Sequence, residues 1–123
     1  MSKHILLIDD VVEILRLMRM MLEEENHQVS VLESGQGALD YVKQNRPDLI
    51  VLDLKLGNMS GITVLRELKG DPETANIPVV VYTASLVAAE ETQQLIAREP
   101  ELYAGTRVLQ KPFALDELLK IVA

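Results

Sequence analysis

Residues 48–53 read Asp48-Leu49-Ile50-Val51-Leu52-Asp53: four aliphatic side chains with no polar alternation, then an acid where a buried strand should stop. An unbroken apolar run of this length is what a strand covered on both faces requires. Three other stretches end in a similar way. Ile5-Leu6-Leu7-Ile8 ends in Asp9-Asp10, Val79-Val80-Val81-Tyr82 ends in Thr83, and Val108-Leu109 is followed, after Gln110, by Lys111. If the strands lie parallel in one sheet, these chemistry-bearing residues gather at its carboxyl edge. Ligands of open parallel sheets bind at that edge.

Strand-length runs near 4–8, 28–32, 48–53, 78–82 and 107–110 alternate with amphipathic segments near 11–25, 36–45, 61–69, 86–97 and 114–122. Five strand-then-helix repeats predict an α/β fold, a parallel sheet with helices on both faces. Gln28-Val29-Ser30-Val31-Leu32 alternates and is expected at a sheet edge. Pro47 and Pro78 sit at element boundaries, and Gly70 is expected as a left-handed helix cap. Gly35-Gln36-Gly37 lacks the third glycine of a dinucleotide-binding loop and reads as a turn and helix start.

The 123 residues suit one domain, 1–123. A formal charge of -7 argues against direct nucleic-acid binding, which wants a basic surface. With no cysteine and two histidines, neither a thiolate nor a histidine-rich metal centre is available. The first apolar run is too short for a signal-peptide core or a membrane span, so the expected location is cytoplasmic, without membrane insertion.

The acids suit a hard cation such as Mg²⁺. Asp10 and Asp53 would supply oxygen ligands, Asp9 would accept from a bound water, and the Lys55 backbone carbonyl is a further candidate ligand. A carboxylate can also attack phosphorus to give an acyl phosphate. Lys111 would then pair with the phosphoryl oxygens and the Thr83 hydroxyl would donate to one of them. Each residue has a plainer reading: Asp9 or Asp10 as a helix cap, Asp53 as a turn residue, Lys111 as a surface lysine. Their joint placement carries the specificity.

Ile8-Asp9-Asp10, Leu52-Asp53-Leu54 with Gly61 downstream, Tyr82-Thr83-Ala84 and Lys111-Pro112-Phe113 occur in this order over nearly the whole chain. In these motifs the chain resembles the response-regulator receiver domains of two-component signalling. The resemblance implies a flavodoxin-like five-stranded sheet of order 2-1-3-4-5. It implies phosphorylation at Asp53, an Mg²⁺-holding pair Asp9 and Asp10, a phosphoryl-contacting Lys111 ahead of a cis Pro112, and a mobile Thr83. The implied partners are a histidine kinase or histidine phosphotransfer protein and a downstream target protein. Such a domain catalyses only its own phosphorylation and dephosphorylation.

The chain departs from the family pattern at three places. Val108 stands where relatives carry an aromatic switch, with Tyr103 a candidate substitute if its loop folds back. The connection holding Pro100 and Tyr103 is longer than usual. Gly57 replaces a proline and is expected to loosen its loop. Lys55 and Ser85 occupy positions that bear on phosphoryl lifetime in relatives. The first helix should bury Val11, Ile14, Leu15, Met18 and Leu22, with Leu17 and Met20 off that stripe as either a wider core face or a kinase-docking surface. Two alternatives stand beside this reading. One is a phosphotransferase of the haloacid-dehalogenase type, which wants an acid where Lys55 stands. The other is a receiver-like interaction module that is never phosphorylated.

Overall fold

Alternation of strand and helix runs through the computed structural model, which describes residues 2–57, 59–110 and 115–122. In order these are β1 (His4–Ile8), α1 (Val12–Glu24), β2 (Gln28–Leu32), α2 (Ala38–Asn45), β3 (Leu49–Asp53), β4 (Lys55–Leu56), β5 (Met59–Ser60), α3 (Gly61–Gly70), β6 (Val79–Thr83), α4 (Leu86–Arg98), β7 (Thr106–Gln110) and α5 (Leu115–Val122). Five strands form one parallel sheet in the order β2-β1-β3-β6-β7. With the short β4-β5 hairpin set aside, this is the expected order 2-1-3-4-5. The hairpin itself was not foreseen: two-residue strands are too short to show a period.

Alternate residues of the strands supply two cores, one on each face of the sheet. Leu6, Ile8, Ile50, Leu52, Val79 and Val81 pack with α2, α3 and α4 through residues such as Val42, Val64, Leu65 and Leu95. Ile5, Leu7, Leu49, Val51, Val80 and Tyr82 pack with Leu15, Met18 and Leu22 of α1 and Leu118 and Val122 of α5. A fully buried aliphatic side chain contributes roughly 1.5–3 kcal/mol, so this two-sided burial fixes the layer order. The edge strand β2 carries the alternating pattern that its position allows.

Several local expectations are corrected. Gly70 is the last residue of α3 and does not adopt a positive φ. The helix stops because Pro72 disfavours helical backbone at Asp71, which is extended. Val11 lies outside α1 and is 42% exposed, whereas Leu15, Met18 and Leu22 are buried as expected. Tyr103 is buried in the core just before β7, at the amino edge of the sheet, and cannot serve as a switch at the carboxyl edge. Gly57 adopts φ 61°, a left-handed turn closed to proline, between the two hairpin strands. Gly37, with φ 78°, precedes α2 as a turn and helix start.

Candidate functional site

β1 and β3 are neighbours, and both run out at the carboxyl edge next to acids. Carboxylate oxygens of Asp9, Asp10 and Asp53 lie within 4.8 Å of one another. Asp9 is fully buried, Asp53 is buried, and Asp10 is exposed. Thr83, at the end of β6, joins them across the register pair Asp53–Tyr82. Asp10, Asp53, Lys55, Thr83 and Ser85 line one cavity of about 710 Å³. Asp9 does not reach its wall and stands behind the other two acids. The sheet therefore gathers Asp9, Asp10, Asp53, Lys55 and Thr83 as expected, while Lys111, with its bond to Pro112, lies outside the described residues.

Local backbone explains each placement. The Lys55 amide donates to Asp53 Oδ1 at 3.1 Å, which orients the carboxylate at the strand end. The Thr83 hydroxyl accepts from the Ser85 amide at 3.1 Å, and Ser85 Oγ caps α4 by accepting from the Ala88 amide at 3.1 Å. A Cβ on Gly61 would come within 2.3 Å of the Asp53 carbonyl oxygen and 2.6 Å of Leu54 Cα. That contact with main chain explains why the first residue of α3 is a glycine: only there can the helix start press against the strand that carries Asp53.

The Asp9 carboxylate is held at both oxygens. Oδ1 accepts from the Val11 amide at 2.8 Å, and Oδ2 accepts from the Tyr82 hydroxyl. The bond to the Val11 amide is a local turn contact ahead of α1, whose N-cap is Val11 and has no side-chain cap, so Asp9 does not cap the helix and its place is in the acid cluster. Tyr82 was not singled out from the sequence as a site residue. The one available signal was a tyrosine closing a strand that otherwise reads Val79-Val80-Val81. Burial raises the Tyr82 phenol well above its ordinary range, helped by its hydrogen bond to Asp9 and by the charges of Asp9, Asp53 and Asp10. The hydroxyl consequently stays protonated and able to donate.

Three oxygen donors at this spacing fit a hard divalent cation, since like charges so close are otherwise mutually unfavourable. On the outer surfaces, Leu17 of α1 is 47% exposed and Met20 58%, so neither belongs to a wider core face. Leu86 and Val87, in the first turn of α4, are 68% and 67% exposed. Val108 is half-buried against the core beneath α4. No helix among the described residues is long and apolar enough to cross a membrane.

Comparison with known proteins agrees with this geometry. The family model for the response regulator receiver domain matches residues 5–123. The response regulator PleD of Caulobacter vibrioides is 43% identical over 84 residues, covering 68% of this chain and 18% of that protein. The transcriptional regulatory protein KdpE of Mycobacterium tuberculosis is 36% identical over 115 residues, covering 94% of this chain and 47% of that protein. The chain therefore spans less than half the length of these two relatives. The receiver domain of the Francisella response regulator 1452 superposes with a TM-score of 0.79 at 28% identity, over 98% of this chain and 93% of that one. The chain belongs to the response regulator receiver domain family, the regulatory domains of two-component signalling.

Proposed function

We propose that this chain is the phospho-accepting receiver of a two-component phosphorelay, with Asp53 as the acceptor. The observation that carries this reading is the meeting of Asp53, Asp10 and Thr83 on one cavity wall, with Asp9 close behind. An Asp53 oxygen would attack the phosphorus of a phosphohistidine donor. The P–O bond forms as the P–N bond breaks, and the released imidazole regains its proton from solvent. Asp9, Asp10, Asp53 and the Lys55 carbonyl are the residues that would hold Mg²⁺. When bound, the cation offsets the charge of the carboxylates and of the transferred oxygens. Thr83 would donate its hydroxyl to a phosphoryl oxygen, and Lys111 would pair with another. The added charge would then bias the Thr83 loop and the start of α4 between two arrangements.

The donor is a histidine kinase or histidine phosphotransfer protein, docking on the exposed Leu17 and Met20 of α1. A downstream protein reads the result in the cytoplasm. The haloacid-dehalogenase alternative wants a second acid where the exposed Lys55 stands. Incubation with acetyl phosphate and Mg²⁺, followed by intact-mass measurement, tests the reading. Wild-type protein should gain one phosphoryl group and Asp53→Asn none. Equal labelling of the two proteins, or none of either, would overturn it.

A further inference from the structure

Tyr82 is a large side chain with a polar tip in a fully buried strand position. It stands on the α1/α5 face of the sheet with Val51 and Val80. From β6 it reaches past β3 to Asp9, just beyond the end of β1, so its hydroxyl spans three adjacent strands. Its backbone is equally engaged: its carbonyl accepts from the Leu54 amide at 3.1 Å, one residue beyond Asp53. Its chain neighbour Thr83 lines the cavity. Asp9 is enclosed and absent from the cavity wall, so what fixes it must come from inside the protein. Of its two oxygens, one is turned by the Val11 amide and the other by Tyr82.

We propose that Tyr82 is a positioning residue for the acid site, holding the Asp9 carboxylate in the orientation that the cluster needs to receive a divalent cation. The proposal rests on the phospho-acceptor reading and adds a residue to it. A carboxylate held at both oxygens has little rotational freedom left to lose when a cation arrives. One held only by the Val11 amide can turn about its Cβ–Cγ bond, and binding must then supply the ordering.

The test is Mg²⁺ titration by calorimetry on wild type, Tyr82→Phe, Asp9→Asn and the double variant, with circular dichroism to verify folding. Tyr82→Phe should weaken Mg²⁺ binding about tenfold, the scale of one hydrogen bond to a charged group. In the Asp9→Asn background the same change should matter less than about twofold, because the two residues act as one unit. Unchanged affinity in Tyr82→Phe, or an equal loss in both backgrounds, would overturn the role. If Tyr82→Phe does not fold, wild type alone decides. The chain has three tyrosines and no tryptophan, so tyrosine emission is readable. It should change with the half-saturation seen in the calorimeter, and Tyr41→Phe should keep that change. Mg²⁺ heat without an emission change counts against Tyr82 alone. Wild type that gives no heat and takes no phosphoryl label overturns the phospho-acceptor reading and the role of Tyr82 together.

Discussion

The two ends of the sheet bury charge in opposite ways. At the amino edge, Lys69 of α3 is only 2% exposed. Its ammonium donates to the carbonyls of Ala75 and Ile77 at 3.0 Å and of Ala104 at 2.9 Å. Three donors meet three fixed acceptors, and the loop before β6 is thereby tied to the loop before β7. At the carboxyl edge, three carboxylates crowd within 4.8 Å beside an open cavity. The first arrangement is closed: every donor of the charged group is used, and nothing is left for a ligand. The second brings together like charges that an added cation would relieve. A satisfied buried charge serves the fold, whereas a crowded and partly open one is where chemistry is to be expected.

The largest effect is expected at the closed end. Lys69→Met leaves a buried apolar side chain in place of the ammonium and three part-buried carbonyls without their donor, and should lower stability by about 2–3 kcal/mol, read from urea unfolding. Labelling at Asp53 per folded molecule should be unchanged; a parallel loss of labelling would mean that the two ends are coupled. At the open end the sign reverses. Asp10→Asn removes a like charge and should raise stability without metal by about 1 kcal/mol. Where Mg²⁺ should add thermal stability to wild type, it should add little to Asp10→Asn. A less stable metal-free variant would contradict the repulsion argued here.

The smallest effect belongs to a partly exposed ion pair, again toward the amino edge. Asp71 accepts from the Glu73 amide at 2.9 Å and faces Lys43 at 3.0 Å, and these hold its carboxyl below the ordinary value of 3.8. A depressed carboxyl contributes stability above its unfolded pKa and loses it as pH falls through the folded value. Asp71→Asn should therefore shift the unfolding midpoint slightly at pH 7, and the shift should close as pH drops below 3.8. A difference that persists in acid would point to packing instead of charge.

Much of this was legible because the signals are local. Unbroken apolar runs mark strands buried on both faces, and an acid or hydroxyl closing such a run marks the edge where it lies. Asp9, Asp10, Asp53 and Thr83 were found in that way. The hairpin escaped because its strands have two residues each. Helical spacing says which residues share a stripe but not where the helix begins, so it places Val11 in the core although α1 starts at Val12. Tyr103 is a candidate switch only if its loop folds back; it lies instead in the core just before β7, and Thr106–Gln110 carries the chain from there to the carboxyl edge.

Periodicity and punctuation in the chain determine that strands and helices alternate, that the sheet is parallel, and that the acids stand at strand ends. These follow from short-range rules of burial and backbone geometry. Only the tertiary structure decides that Asp9 lies behind the cavity wall, that Tyr82 reaches across β3 to hold it, and that Lys69 finds three carbonyls from two loops. Those partners lie 73 residues apart for Tyr82 and Asp9, and 35 apart for Lys69 and Ala104. Contacts over such separations depend on strand order and side-chain reach, which no local pattern encodes.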